Sequence, residues 1–368
     1  GRVAKSPHMR RAVRGLMPKN FMKALLIGFG NVGRTLVEIL SDGGQYCKLK
    51  DLNVSIIGII TKNHGSLVNS RGIDLIRALS EFGKGNFAAA NPDRCDLDAL
   101  NAVKELEYDV MIETSPLSIE GKGEPAVTYV REALSRNCNV ITANKGPMAF
   151  AYSELMAIAK DKGVLLLHEA TVMDGTPLFN MARHCLRGTR VTSLEGILNS
   201  TSNYVLSMME SGMSMDQAIS QAQKMGIAEK NPMYDLEGWD STVKLCVLVN
   251  ALCNAKITPF EVDRNGITDI TSDQVQNALR AGKHLKLICK AKLDESSPRA
   301  EVKVTEVEAR DIFSTVKGQG AMLKIYTDIM APFVVSQTDP TLPDTAYGII
   351  NDLFEVKDHI SLHTNKAG

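Results

Sequence analysis

A glycine-rich turn between a predicted strand and a predicted helix constrains the fold more than any other feature of this chain. Ala24 to Ile27 is an apolar run, residues 28–33 read Gly-Phe-Gly-Asn-Val-Gly, and a helical pattern runs from Arg34 to Ile39. Glycines at this spacing permit a tight turn and close approach of the backbone to a pyrophosphate, which then faces the helix amino terminus. The pattern predicts a dinucleotide-binding βαβ unit. The alternative is a plain strand-turn-helix with incidental glycines.

The residues that follow the second predicted strand favour NADP over NAD. The strand runs from Val54 to Ile60, and in this fold an acidic residue after it usually binds the ribose hydroxyls of NAD. Here residues 61–64 read Thr-Lys-Asn-His without an acid, and Arg34 begins the first helix. The cations Lys62 and Arg34 suit a 2′-phosphate, so NADP is expected and NAD is possible. A solvated turn is the alternative.

Polar residues follow two further predicted strands of the same sheet. Thr114 and Ser115 follow a strand at 109–113, and Lys145 lies shortly after a strand at 139–142. Ligands of open α/β sheets bind outside the carboxyl ends of the strands, so these side chains are expected beside the cofactor. Residues 317–321 read Lys-Gly-Gln-Gly-Ala and precede a predicted helical run. Gly320 is therefore also expected beside the cofactor. The predicted cofactor-binding residues are Gly28, Gly30, Asn31, Val32, Gly33, Arg34, Lys62, Thr114, Ser115, Lys145 and Gly320.

Residues 225–244 concentrate acids and a lysine where a proline-containing loop enters a helix. Glu229 and Asp235 lie on the loop, and Asp235 is predicted to cap the helix. Asp240 and Lys244 are four residues apart, so they share one helical face. A surface ion pair is the alternative, but the two upstream acids favour a site that binds an amino acid and moves a proton.

Two other loops have polar patterns typical of binding sites. Residues 199–203, Asn-Ser-Thr-Ser-Asn, precede a predicted helix at 204–210, whose amino terminus suits a carboxylate or a phosphate. Residues 169–177 contain Glu169 and a glycine, and the exposed carbonyls of such a loop suit a hard cation. A buried Glu169 that caps a helix is an equally supported alternative.

Composition narrows the class of protein. The chain has 368 residues, enough for two domains, and its 42 basic and 42 acidic residues give no field that would attract nucleic acid. No apolar run is long enough to cross a membrane. The seven cysteines are scattered without a CxxC pair, which predicts reduced thiols and a cytoplasmic protein. Residues 1–21 are interpreted as an N-terminal tail, partly an expression remnant or disordered, and carry no functional prediction.

Taken in order, these motifs resemble the homoserine dehydrogenase family. The resemblance runs from about Met22 to about Asn351 and rests on GFGNVG, TANKGP, HEATVMDGTP, GILNSTSNY, MGIAEKNPMYDLEGWDSTVK and KGQGA. It implies an α/β fold, with an N-terminal Rossmann nucleotide-binding domain and an α+β substrate-binding and dimerisation domain built on a mixed sheet. The expected NAD(P)-binding domain spans 22–150 and is completed by 318–368, and the expected second domain spans 151–317.

The resemblance implies reversible NAD(P)H-dependent reduction of L-aspartate 4-semialdehyde to L-homoserine, in threonine and methionine biosynthesis. Lys145 and Lys244 would orient the substrate and transfer a proton, and Glu229 would bind the substrate amino group. The implied catalytic residues are Lys145, Lys244, Glu229 and Asp240, and the implied substrate-binding residues are Thr201, Asp235, Glu229 and Lys244.

The resemblance also implies a monovalent cation such as Na⁺ and a homodimer. The metal ligands would be Glu169 and the main-chain carbonyls of Val172, Asp174 and Thr176. Two residues depart from the family pattern, because Asp174 stands in a loop that is usually glycine-rich and Ser200 adds a side chain near the substrate. Neither the feedback domain of longer relatives nor threonine control of that kind is expected.

Two alternative functions keep part of this interpretation. An enzyme of the same fold that acts on another amino or oxo acid would account for Ser200 and Asp174. A nucleotide-sensing protein would keep the Rossmann domain and bind the cofactor without turnover. The intact set of acids and lysines favours the dehydrogenase over the sensor.

Overall fold

The computed structural model describes residues 21–42, 47–293 and 298–364 of the chain. In these residues the chain forms two β-sheets with helices packed against them. The predicted α/β class, with a Rossmann-type sheet followed by a mixed sheet, is confirmed. The predicted tail lies outside the described residues, apart from Phe21.

The first sheet is mostly parallel. Its strands in the described residues are β1 (Met22–Ile27), β2 (Val54–Ile60), β3 (Ser66–Val68), β4 (Arg94–Cys95), β5 (Val110–Glu113), β6 (Asn139–Thr142) and β7 (Leu166–Leu167). Their order is β4-β3-β2-β1-β5-β6-β7, and only β3 and β4 pair antiparallel to their neighbours. β5 is buried along its whole length, as expected for the continuous apolar run of a central parallel strand.

This strand order opens a crevice at the carboxyl ends of β1 and β5. The chain leaves β1 for β2 on one side, and β5 later pairs with the other side of β1. Connections that diverge in this way leave space for a ligand beyond the strand ends. The amide of Thr114, just after β5, donates to the carbonyl of Ile27 at 2.8 Å, so the two strand ends lie side by side at the crevice.

The second sheet is mixed and supports the central helix of the molecule. Its strands are β8 (Val191–Ile197), β9 (Asp263–Arg264), β10 (Lys283–Leu293), β11 (Pro298–Glu308), β12 (Ala321–Thr327) and β13 (Phe333–Gln337), in the order β13-β12-β8-β10-β11-β9. The helices are α1 (Asn31–Ser41), α2 (Leu75–Phe82), α3 (Ala99–Glu105), α4 (Ala126–Ser135), α5 (Lys145–Phe150), α6 (Tyr152–Lys162), α7 (Phe179–Cys185), α8 (Ser200–Glu210), α9 (Met215–Lys224), α10 (Met233–Leu236), α11 (Trp239–Cys253), α12 (Ser272–Arg280) and α13 (Leu342–Thr364). Helix α11 packs on β8, β10 and β11 and also on α5 and α6, so it lies between the two domains.

Two of the predicted domain boundaries need correction. β7 pairs with β6 in the first sheet, so the boundary expected at residue 150 is too early. The prediction that 318–368 completes the first domain is wrong for β12 and β13, which belong to the second sheet. Helix α13 does pack on α1, and its Ile349, Leu353 and Val356 share an apolar core with β1.

A tight turn, and not a helix start, follows Lys317. The amide of Gly320 donates to the carbonyl of Lys317 at 3.0 Å and β12 begins at the next residue, so the predicted helical run is wrong. Pairing of β12 with both β8 and β13 overrides the local helical pattern. The buried ammonium of Lys286 holds this segment by donating to the Val316 carbonyl at 2.7 Å and to Asn203 Oδ1 at 3.2 Å. The cofactor-binding role of Gly320 stays a prediction, without the argument from a helix terminus.

Two findings concern membrane crossing and the state of the cysteine thiols. Within the described residues, no helix combines the length and the apolarity that a membrane crossing needs. Six of the seven cysteines have described side chains, and all six are free thiols, in agreement with the prediction. Burial raises the pKa of Cys246 and of Cys289, which keeps both thiols protonated and unreactive at neutral pH.

Candidate active site

Three glycines shape the turn after β1 in different ways. Gly28 has φ +91°, and a Cβ there would lie 2.8 Å from the carbonyl carbon and oxygen of Thr114. A Cβ on Gly33 would lie 3.0 Å from the Gly28 carbonyl oxygen, so α1 packs closely on the turn, while Val32 packs against the apolar core. A Cβ on Gly30 would meet nothing within 4 Å. The turn is therefore tight, closely packed and open on one face, which fits the pyrophosphate of a dinucleotide.

A basic edge lies beside this turn. Arg34 donates to Asn31 Oδ1 at 2.6 Å, and its guanidinium lies 5.7 Å from the centre of the Phe82 ring. The same ring contacts the imidazole of His64, with 4.9 Å between the centroids, and Lys62 on this loop is exposed. Guanidinium and ammonium groups in this position suit a 2′-phosphate, because they offer it charged hydrogen-bond donors.

The end of β5 contributes two hydroxyl side chains to the crevice. Thr114 Oγ1 lies 3.1 Å from the carbonyl oxygens of both Ile27 and Gly28, so this side chain joins the ends of β1 and β5. The amide of Ser115 donates to the carboxyl group of Glu113 at 2.8 Å. Burial raises the pKa of Glu113 to about 7, although its hydrogen bonds to Ser115 lower it. Thr114 and Ser115 thus lie where the sequence placed them, at the rim of the crevice.

Two lysines converge on one carboxylate at the junction of the domains. Lys145 begins α5, while Asp240 and Lys244 lie on α11. The ammonium nitrogens of Lys145 and Lys244 lie 3.3 Å and 2.7 Å from the carboxylate oxygens of Asp240. The three side chains are only 17% to 23% exposed, so the cluster is enclosed but still open to a small ligand. This excludes the alternative of an ordinary surface ion pair.

The shared carboxylate sets the charge state of the cluster. Burial alone would raise the pKa of Asp240, but Lys244 and Lys145 hold it well below its usual range. Burial alone would lower the pKa of Lys244, but the Asp240 charge reverses this effect and raises the pKa above its usual value. At neutral pH, Asp240 is therefore a carboxylate and Lys244 an ammonium group.

Asn199 connects the two aspartates of the site. Its Nδ2 donates to Asp235 Oδ1 at 2.7 Å and to Asp240 Oδ2 at 2.9 Å, and its Oδ1 caps helix α8. Lys244 also donates to the carbonyl of Leu198 at 2.9 Å, which ties α11 to the end of β8. Burial and the nearby Asp240 charge raise the pKa of Asp235. The polar end of β8 therefore orients both acids.

Asp235 does not cap α11, contrary to the prediction. It lies in the short helix α10, and Gly238 precedes α11 with φ +82° and no side-chain cap. The left-handed glycine turns the chain between the two helices, and the Asp235 carboxylate is bound by Asn199 instead. The aspartate is thereby part of the cluster and not of the helix terminus.

Two other predicted substrate residues differ in their surroundings. Thr201 is buried on α8, and its hydroxyl donates to the Ile227 carbonyl at 3.2 Å. Glu229 is exposed, and in the described part of the chain no hydrogen bond or ion pair joins its carboxylate to the lysines or aspartates of the cluster. Its predicted contact with a substrate amino group stays a prediction.

In the loop that is expected to bind a cation, backbone amides bind the carboxylate of Glu169. Glu169 accepts hydrogen bonds from the amides of residues 178, 179 and 180, at 2.6, 2.9 and 2.7 Å. These contacts occupy most of its acceptor capacity and match the alternative of a buried cap on α7. Asp174 Oδ1 accepts from Thr345 at 2.9 Å, and the carbonyl of Thr176 accepts from the amide of residue 178. Val172 is fully buried, and a cation among these carbonyls stays a prediction.

Two residues of this region were not predicted from the sequence. Asn199 was part of a recognised polar run, and its position just before a helix was the available signal for its capping role. Glu113 ends a buried strand, and an acid at the end of an otherwise apolar run was the available signal there. Neither signal shows which distant side chains the residue contacts.

The fold and the site define the class of protein. A Rossmann-type sheet with an open glycine turn at its crevice binds a nicotinamide dinucleotide. An enclosed ammonium group beside that domain can exchange a proton with an oxygen of a substrate. The chain is an NAD(P)-dependent oxidoreductase of the kind that acts on a CH–OH group.

Comparison with known proteins identifies the family. The family model "Homoserine dehydrogenase, NAD binding domain" matches residues 28–169, and the model "Homoserine dehydrogenase" matches residues 177–354. The homoserine dehydrogenase of Methanocaldococcus jannaschii is 31% identical over 337 residues, which cover 91% of this chain and 98% of that protein. The chain belongs to the homoserine dehydrogenase family, as its sequence motifs predicted.

Two further relatives cover nearly the whole chain. The NAD(+)-dependent homoserine dehydrogenase of Pseudomonas canavaninivorans is 32% identical over 341 residues, which cover 91% of this chain and 96% of that protein. The crystal structure of a putative homoserine dehydrogenase from Archaeoglobus fulgidus superposes with a TM-score of 0.79 at 29% identity, covering 92% of this chain and 99% of that one. The likeness therefore includes both domains.

Proposed function

We propose that this chain catalyses the reversible NAD(P)H-dependent reduction of L-aspartate 4-semialdehyde to L-homoserine, a step of threonine and methionine biosynthesis. The observation that carries the proposal is the cluster of Lys145, Asp240 and Lys244, which joins the dinucleotide-binding domain to the second domain. Relatives that are named homoserine dehydrogenase and match over about nine-tenths of the chain support the choice of substrate.

The lysines account for the proton that the reaction needs. The nicotinamide cofactor supplies the hydride when it is bound. Reduction turns the aldehyde oxygen into an alkoxide, and Lys244, held as an ammonium group by Asp240, donates a proton to it. Lys145 approaches the same carboxylate from the other domain, so it orients the aldehyde oxygen between the two ammonium groups.

The acids account for recognition of the amino group. Asp235 is held by Asn199 beside the cluster, and Glu229 lies exposed on the loop that leads to it. A substrate ammonium group between these carboxylates would gain charge-assisted hydrogen bonds. Thr201 lies on the helix that Asn199 caps, where its hydroxyl can contact the substrate.

The experiment that tests this function follows the absorbance of reduced nicotinamide during incubation with L-homoserine. NADP and NAD are supplied in turn, and binding of each nucleotide is titrated separately. The native protein is expected to reduce the cofactor with homoserine. A protein that binds NADP but gives no turnover would contradict the proposal, and a panel of other amino alcohols would then reveal whether the substrate is different.

Arg34→Ala is expected to lower the ratio of kcat/KM with NADP to kcat/KM with NAD by about tenfold. The reason is that a charge-assisted hydrogen bond to the 2′-phosphate contributes about 1.5–3 kcal/mol. The relative from Pseudomonas canavaninivorans is named NAD(+)-dependent, so the choice between the two cofactors depends on this chain's own residues. Arg280→Ala, on an exposed turn of α12, is the control and should leave the ratio unchanged. An unchanged ratio in Arg34→Ala would contradict the assignment of NADP.

We also propose that the enzyme is a cytoplasmic homodimer. The hairpin of β12 and β13 lies at an edge of the second sheet and exposes the apolar side chains of Ile329, Met330 and Val334. Apolar groups clustered on a surface favour association with another protein surface. Light scattering is expected to give twice the chain mass of 40.1 kDa. A molar mass equal to one chain at micromolar concentration would contradict the dimer.

A further inference from the structure

Glu113 is a buried acid that the proposed chemistry does not use. It ends β5, its side chain is 0% exposed, and it lies directly before the two hydroxyl residues at the crevice. A carboxyl group that loses all contact with water is costly unless other groups bind it. The groups that bind it are therefore informative about why it is there.

The carboxyl group is part of a closed ring of hydrogen bonds between the ends of β5 and β6. Glu113 Oε1 accepts from the amide of Ser115 at 2.8 Å, and Glu113 Oε2 lies 3.1 Å from Thr142 Oγ1. Thr142 Oγ1 accepts from the amide of Asn144 at 3.1 Å. Asn144 Nδ2 donates back across the strands to the carbonyl of Pro116 at 3.4 Å. Thr142 and Asn144 are themselves buried.

The ring continues into the catalytic cluster. Asn144 Oδ1 accepts from the amide of Gly146 at 2.9 Å and so caps α5, whose first residue is Lys145. The direction in which Lys145 leaves the sheet is therefore set by the same asparagine that Thr142 holds. The ammonium group of Lys145 then meets Asp240 on the other domain.

We infer that Glu113 is a positioning residue, which acts through Thr142 and Asn144 to hold Lys145 against Asp240. The inference rests on the proposed function for the role of Lys145 in turnover, but its geometric part does not depend on the identity of the substrate. The ring needs an acceptor for the Ser115 amide and a polar partner for the Thr142 hydroxyl. A glutamine could supply both, because the Thr142 hydroxyl lies 3.2 Å from the Asn144 carbonyl and can donate there while it accepts from the glutamine amide.

The kinetic test compares variants of the ring with a control at the opposite end of the same strand. Glu113→Leu and Thr142→Val are each expected to lower kcat by about tenfold to a hundredfold, because small displacements of a catalytic group are costly. KM for the amino acid substrate should change by less than about twofold, and Glu113→Gln should restore most of kcat. The double variant should be no worse than the poorer single variant, because both break one ring.

Asp109→Leu is the matched control. Asp109 precedes β5, and its carboxylate accepts from the amide of Lys23 at 2.7 Å, so it also binds a backbone amide but at the end of the sheet away from the crevice. Its loss should lower the unfolding temperature and leave kcat unchanged. The inference would be overturned if the ring variants keep the native kcat. It would also be overturned if Asp109→Leu lowers kcat as much as the ring variants do. If Glu113→Gln lowers kcat as much as Glu113→Leu does, the inference is also overturned, because turnover would then depend on the charge of Glu113 and not on the ring of hydrogen bonds.

A crystal structure of Thr142→Val separates this inference from the proposed function. Valine keeps the β-branched shape of threonine and removes only the hydroxyl group, so this variant disturbs the packing less than Glu113→Leu does. The inference requires the distance from Lys145 Nζ to Asp240 Oδ1 to lengthen beyond about 4 Å, the limit of an ion pair. An unchanged distance would overturn the inference even if homoserine is the substrate. A lengthened distance in a protein without homoserine turnover would support the inference and contradict only the function.

Discussion

Asp240→Asn is expected to lower kcat for reduction of aspartate 4-semialdehyde by on the order of a hundredfold to a thousandfold. Asparagine keeps the size of the side chain but removes the charge that lies 2.7 Å from Lys244 and 3.3 Å from Lys145. Without that charge, burial lowers the pKa of Lys244, so less ammonium is available to protonate the alkoxide. The two ammonium groups also lose the carboxylate that holds them together. The measurement is the initial rate at saturating substrate and NADPH.

Asp263→Asn is the control for this substitution. Asp263 is an exposed residue of the second domain and forms an ion pair with Lys303 away from the cluster. An exposed pair contributes little, so its loss should change neither kcat nor the unfolding temperature measurably. If Asp240→Asn is folded and retains kcat within about threefold of the native value, Asp240 does not organise the chemistry.

Gly28→Ala is expected to destabilise the nucleotide-free protein by about 2–4 kcal/mol and to abolish measurable NADP binding. Gly28 has φ +91°, a conformation that alanine rarely adopts. Its Cβ would also lie 2.8 Å from two backbone atoms of Thr114, which cannot rotate away as a side chain can. Relief of the clash would separate the ends of β1 and β5, where the crevice forms. Thermal unfolding without nucleotide and a fluorescence titration with NADP measure the two effects.

Gly30→Ala in the same turn is the matched comparison. Gly30 has φ −74° and open space in the direction of a Cβ. The variant should therefore unfold at the native temperature in the absence of nucleotide, while its affinity for NADP falls by about tenfold or more because the methyl group occupies the path of the pyrophosphate. A Gly28→Ala protein as stable as the native one would refute the steric argument. Native affinity in Gly30→Ala would place the dinucleotide elsewhere.

Patterns within a few residues predicted the elements that carry the site. The glycines of the first turn and the apolar runs beside them indicated the strand, the turn and helix α1 before any contact was known. The four-residue spacing of Asp240 and Lys244 predicted that the two side chains meet, and they do so at 2.7 Å. Such predictions succeed because helical and extended periodicity bring near neighbours together in any fold.

Local patterns failed where a remote element decided the outcome. The segment after Gly320 has a helical pattern, but two neighbouring strands offer it pairing partners and it becomes β12. Asp235 precedes a helix as a cap would, but the amide of Asn199 binds its carboxylate. Glu169 was equally compatible with a cation or with a helix cap, and its contacts with three amides match the cap.

The sequence alone was sufficient for the fold class, the family, the dinucleotide-binding turn and the acid–lysine pair on α11. Only the tertiary structure showed that Lys145 approaches that pair from the other domain, that Asn199 joins the two aspartates, and that Glu113 closes a ring beneath Lys145. The physical reason is the range of the forces involved. Strand, turn and helix preferences arise between residues close in the chain, whereas a hydrogen bond or an ion pair between remote residues depends on where the packed sheets and helices place them.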